Sequence, residues 1–380
     1  MKQGRTLVAI AEQLERQLAT RKDFLAPQGA IEAKVVNGEV ILDGLNGEPV
    51  GINTHAHGQI AQHLGVPTAY YNRMKTEQPQ LLTANINTWL KAEGNEKRMV
   101  RVLDGKVRGF LSPKFRPLDN FDLANAVLPT LLQNKVQIIS SELTEQRLYI
   151  KGILPELSDE LPDGLVWGSG HADITRVAPG LQIPTDQIIQ TRGRGRLVAA
   201  ITISNSEVGA GTLRVEPGVF TTWCTNLAIL AQAAMKKYHV GRAWEADTNY
   251  EVFRDETRAA DDKAFFMKVT DVTKAAFDAK LFAAAIDSIR VAGQKQIASP
   301  NLEKVVDTTV RQLSLPVSTA PSILSMLARG GDLTQWGLSS AITATANSAD
   351  SYETATQLEY AGGQVLALED KQWEVLSAAA

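Results

Sequence analysis

The tightest constraint on the fold of this chain is a strand, turn, strand signature in residues 97–111. Residues 99–103 and 107–111 are runs rich in valine, leucine and methionine, and Asp104-Gly105 lies between them. That pair tolerates the left-handed backbone of a two-residue turn, so it closes a hairpin. Further strand-like runs occur at 136–140, 147–153, 197–203 and 211–220. Most of the connections are too short for the crossover that a parallel pair needs. Asp119 or Asn120 can cap an apolar helix over 123–132, and an alanine-rich helix is expected over 222–237. Residues 96–240 are therefore predicted to form an α+β unit with a mostly antiparallel sheet.

The flanks read differently. Leu7, Ile10, Leu14 and Leu18 recur at helical spacing, Asn37-Gly38 marks a short hairpin, and 54–92 is helical with breaks at Gly65-Val66-Pro67 and Gln78-Pro79. This predicts a mostly helical N-terminal lobe over 1–95. Helices expected near 262–292, 302–313 and 318–329 make 241–380 a helical C-terminal lobe. Its tail from Asp332 is acidic, with Asp332, Asp350, Glu353, Glu359, Glu369, Asp370 and Glu374 against Lys371 alone. The fold class is thus α+β: a central, mostly antiparallel sheet with packed helices, flanked by helical N- and C-terminal lobes.

Composition narrows the functional classes. A net charge of −3 excludes a uniformly basic binder, and 44% apolar residues over 380 positions suffice for a large core. A single cysteine, Cys224, cannot form an internal disulfide, which fits a reducing, cytoplasmic setting. The opening apolar stretch, residues 7–10, is too short for a signal peptide or membrane span, so no membrane association is expected.

Charge is concentrated locally. Lys97, Arg98, Arg101, Lys106, Arg108, Lys114 and Arg116 face Asp104 alone within residues 97–116. A second basic element, Arg192-Gly193-Arg194-Gly195-Arg196, combines guanidinium forks with glycines that let a ligand approach the backbone, and Arg214 follows. These eleven cations could follow a phosphate backbone, with Phe110, Phe115 and Trp223 available to stack bases. The competing reading is a solvated sheet face paired with the acidic lobe.

Other motifs carry less. Residues 59–73 resemble a helix-turn-helix that would present Thr68, Ala69, Asn72 and Arg73, but only Arg73 and Lys75 are basic there, which favours an ordinary tight helix pair. His55 and His57 are two residues apart and would not share a helical face, so no metal site is expected. His171-Ala172-Asp173 has no nucleophile elbow beside it. Cys224 has apolar neighbours suited to burial, and Gly193-Arg194-Gly195 is not a phosphate-binding loop of the Walker type. No cofactor and no catalytic residue are expected.

Three stretches are more specific in combination. They are residues 107–120, residues 203–226 with Ser204-Asn205-Ser206-Glu207 at their start, and Trp336-Gly337-Leu338 through Ala341-Ile342-Thr343 to Leu358-Glu359. In order and spacing, from about residue 50 to 368, the chain resembles a prokaryotic family of phage/plasmid-like proteins of unknown function. Ser340 departs from the asparagine more common in that pattern. The resemblance implies residence on a mobile element and brings no catalytic residues. The outline of a basic hairpin, a helix and further antiparallel strands is similar, more distantly, to phage single-strand annealing proteins. That analogy implies a nonenzymatic, oligomeric protein that binds single-stranded DNA in replication or recombination. The alternatives are a protein-binding factor using the acidic C-terminal lobe and, third, a metal-dependent enzyme.

Overall fold

The computed structural model describes residues 1–380 except 46, 93, 116–117, 163–164, 166–195, 223–224, 231–254 and 380. It is an α+β fold with one mixed sheet, two antiparallel sheets and twelve α-helices among the described residues. Helix α1 (Leu7–Thr20) is capped by Thr6, whose hydroxyl accepts from the Ala9 N–H, and it buries Ile10 and Leu14. Strand β1 (Lys22–Pro27) then pairs antiparallel with β5 (Lys97–Leu103), and β5 pairs with β6 (Lys106–Leu111) across Asp104-Gly105. Both turn residues have positive φ, as the hairpin reading requires. A short parallel contact with β4 (Gly51–Ile52) completes a four-stranded sheet in the order β1-β5-β6-β4.

The basic hairpin therefore sits in the N-terminal sheet, and the strand pairing runs across residue 96. The sheet was hidden because β1 reads as a mixed run ending in proline and β4 is only two residues long. Helices α2 (Thr54–His63), α3 (Thr68–Glu77) and α4 (Pro79–Ala92) pack here with the β2–β3 hairpin (Glu32–Val36, Glu39–Asp43) around Leu42, Ile60, Tyr71 and Val107.

After α5 (Asn120–Gln133) comes an antiparallel sheet of five strands, curled into a half-barrel: β7 (Gln137–Leu143), β8 (Leu148–Glu160), β9 (Arg196–Asn205), β10 (Arg214–Thr221) and β11 (Asn226–Ile229). The helix expected over 222–237 does not hold over 226–229. Those residues form β11 instead, because Leu227 and Ile229 fill the apolar end of the sheet beside Phe220 and Val198. The rest of that expected helix is partly outside the described residues.

The two faces of the half-barrel differ because strand residues alternate. One face presents Ile150, Ile203 and Val215, buried against α1, α5 and α6 (Asp255–Ala275). The other carries two cross-strand rows of mainly polar residues, Tyr149–Ser204–Arg214 and Lys151–Thr202–Glu216. That face is covered by α11 (Tyr352–Leu366). The chain reaches α11 through α7 (Ala279–Ala292), α8 (Leu302–Gln312), α9 (Ala320–Gly330) and α10 (Gln335–Thr345), and it ends in α12 (Asp370–Ser377). The helix expected over 262–292 is two helices, broken where Asp278 caps α7 by accepting from the Lys280 and Leu281 N–H groups.

Candidate nucleic-acid interface

The expected phosphate contacts separate into three groups. Arg101 is fully buried: it donates to both oxygens of Asp23, to Asp119 at 2.8 Å and to the Glu207 carbonyl at 2.8 Å. A guanidinium so committed is a bracket between segments, and its assignment to nucleic acid is corrected here. Phe110 is likewise buried, tilted against the His63 ring, and cannot serve as a stacking platform. Arg98 is half-buried and donates to His63 Nδ1 at 2.7 Å, so His63 Nε2 carries the proton donated to Gln28 Oε1. Arg196 donates to Ser158 Oγ at 2.6 Å, Arg214 lies over the Tyr360 ring, and Phe115 is half-buried beside Gly209. Lys97, Lys106 and Lys114 are exposed. Arg116, Arg192, Arg194 and Trp223 lie outside the described residues.

What the structure brings together was only partly anticipated. A cleft of about 350 Å³ opens between α1, the β5–β6 turn and the β7–β8 turn. Its cations are Arg5, Arg16, Lys106, Arg108 and Arg147, and its carboxylates are Asp104, Glu145 and Glu207. Two of those carboxylates are already engaged. Asp104 accepts from Thr20 and Arg16, which together hold its carboxyl below the usual range. Glu207 accepts from Arg108 and from the Asn120 N–H at 2.5 Å, at the first turn of α5. Lys106 has no ion-pair partner among the described residues, and the Arg147 guanidinium donates only to the Ala210 carbonyl. The cleft thus presents a net positive surface with unspent donors. Arg5, Arg16 and Arg147 carry no local motif. They belong to segments that only the tertiary fold brings together, with Arg5 bridged to Ser141 beside the β7–β8 turn.

The β9–β10 loop, residues 206–213, reaches the cleft through Glu207 and Val208. Ser206 Oγ accepts from the Val208 and Ala210 N–H groups, which fixes the turn. Gly209 and Gly211 have positive φ, and a Cβ at Gly211 would collide with the Arg147 guanidinium. The loop's carbonyls hold the two sheets together. Val208 O accepts from His55 Nε2 at 3.0 Å and Gln59 Nε2 at 2.7 Å, and Gln59 Oε1 in turn accepts from the Phe110 N–H at 2.8 Å. His55 is therefore a clasp residue. His57, near Tyr71, is lowered to about 4 by burial and the Lys75 charge. Among the described residues no group of three or more His, Cys, Asp or Glu side chains could hold a metal ion.

A second polar cluster lies under α11. Lys151 and Glu359 pair at 2.5 Å with no side-chain exposure, Thr356 accepts from Lys151 at 3.0 Å, and the Tyr352 ring lies 4.4 Å from the ammonium. Burial pushes the Lys151 ammonium down and Glu359 opposes it. This cluster is sealed, so its chemistry serves docking of α11 on the sheet. No described helix is long and apolar enough to cross a membrane. No family model, curated protein or solved structure matches the chain.

Proposed function

We propose that the protein binds single-stranded nucleic acid without catalysing a reaction, as a cytoplasmic, oligomeric protein of the phage/plasmid-like type suggested by its sequence. The observation that carries this reading is the convergence of Arg5, Arg16, Lys106, Arg108 and Arg147 on one cleft. They come from four segments, they outnumber the three carboxylates of the cleft, and such an excess of positive charge favours a polyanion. Lys97 and Lys114 are exposed at the other end of the same strand pair and its exit. The lack of an exposed aromatic among Phe110 and Phe115 makes phosphate contact, rather than base stacking, the main source of affinity.

Fluorescence anisotropy of labelled single-stranded and duplex DNA over a salt series tests this. Single-strand affinity should fall steeply with salt, and Lys106→Gln or Arg147→Gln should each reduce the log–log slope by about 0.7, the value for one phosphate contact on a single strand. An affinity that is absent at low salt, or flat with salt, excludes the reading and directs attention to exposed Asp350, Glu369, Asp370 and Glu374 as a surface for a basic protein partner.

A further inference from the structure

Three of the cleft's five amide side chains commit their acceptors within the protein and keep their donors unspent. Gln13 Oε1 accepts from Arg5, Asn53 Oδ1 from the Ala56 N–H at 2.8 Å, and Asn120 Oδ1 from Asn205 Nδ2 at 2.9 Å. None of the three NH2 groups has an acceptor among the described residues, although all three residues line the cleft. Asn120 is the strongest case, because only 3% of the residue is exposed and it lines the cleft with its Oδ1 already taken by Asn205. Arg108 is equally telling. It spends Nη1 on Glu207, and Nη2 has no hydrogen-bond partner among the described residues. With Asp104 and Glu207 already engaged and Glu145 the one carboxylate left over, most of the uncommitted groups are donors, which fits a ligand rich in acceptors.

The count of donors separates two kinds of phosphate. A backbone diester carries one charge and two terminal oxygens, whereas a monoester carries three terminal oxygens and about −1.5 to −2 charges at neutral pH. The cations Lys106, Arg108 and Arg147 on one cleft, with amide donors beside them, match the second charge and third terminal oxygen of a monoester better than the single charge of a diester. The cleft volume, about 350 Å³, is at the small end of ligand pockets and suits one nucleotide-sized group. We propose that this cleft binds a phosphomonoester, either the phosphorylated end of a strand or a free nucleotide. The proposal deepens the strand-binding reading and rests on it for the nucleic-acid part of the ligand.

The test uses the full chain and anisotropy with one short single strand made in three forms: 5′-phosphorylated, 3′-phosphorylated and hydroxyl at both ends. Adenosine monophosphate serves as competitor. One phosphorylated form should bind about tenfold tighter than the hydroxyl form, a difference of about 1.4 kcal/mol. Lys106→Gln, at an exposed position, should erase that preference with an unchanged melting temperature, and Asn120→Asp should abolish it by placing a carboxylate where a donor stood. Displacement by adenosine monophosphate at a similar concentration would support the proposal and identify the free nucleotide as the source. Equal affinity for all three strands with no competition overturns it and leaves strand binding standing. Capture of adenosine monophosphate without any strand affinity supports it and removes strand binding, while binding of nothing removes both.

Discussion

Glu207 shows how one side chain can join distant parts of a chain. Its carboxylate holds buried Arg108 and the first N–H of α5, and its carbonyl holds Arg101. Glu207→Ala should cost about 3–5 kcal/mol in urea unfolding, because it leaves a buried guanidinium without its counter-charge. Glu207→Gln, which retains an oxygen for the Asn120 N–H, should cost less. A loss under about 1 kcal/mol in the alanine variant would show that Arg108 finds another partner. Strand alternation in the sequence already put Arg101 on the same side as Met99 and Leu103, away from Arg98. What it could not supply was the direction of that side, since Asp23, Asp119 and Glu207 are 78, 18 and 106 residues away. Composition alone made Arg101, Arg108 and Lys106 look alike, and burial distinguishes them.

At the scale of elements, the polar face of the half-barrel and α11 form a joint made of ionisable groups. Breaking it from one side with Lys151→Met should destabilise by about 3–5 kcal/mol, since Glu359 stays buried and unpaired. Adding Glu359→Leu should recover most of that loss. A double variant no better than the single would mean the pair also sets the seat of α11. The same joint responds to pH. Burial pushes the Glu216 carboxyl up from 4.5 to about 7 despite Arg214 and Arg147, and the Tyr360 hydroxyl donates to it. A carboxyl whose folded value is raised binds its extra proton in the folded state. Stability should therefore decline by roughly 3 kcal/mol as pH rises from about 4.5 to 7, and Glu216→Gln should flatten that part of the curve of stability against pH. An unchanged slope in the variant would remove Glu216 as its source. Elements with strong local signals, α1, α5, the β5–β6 hairpin and β9, were legible in the sequence. Strand β11 was not, because four residues of mixed helical and strand character take their state from the neighbouring β10.

For the whole molecule, the two main sheets share one clasp, so they should not unfold separately. Urea titration followed by tryptophan emission, with Trp89 near the first sheet and Trp336 and Trp373 in the helical region, should give one transition coincident with far-ultraviolet circular dichroism. Separate midpoints would show that the clasp does not couple them. The positive cleft could not be read as a unit for a related reason: its cations belong to the segment before α1, α1 itself, the β5–β6 hairpin and the β7–β8 turn, which are neighbours only after both sheets have docked.

The clasp also orders events in time. Bonds between Glu207 and residues 101, 108 and 120 close loops of about a hundred residues, and such contacts are expensive to form early. The N-terminal sheet can assemble as it leaves the ribosome, but the wall of the cleft formed by Glu207 and Val208 does not exist until the β9–β10 loop has been synthesised and seated. The anion binding proposed above would therefore be absent from a nascent chain until residue 213 has been made, and would arrive together with the completed half-barrel.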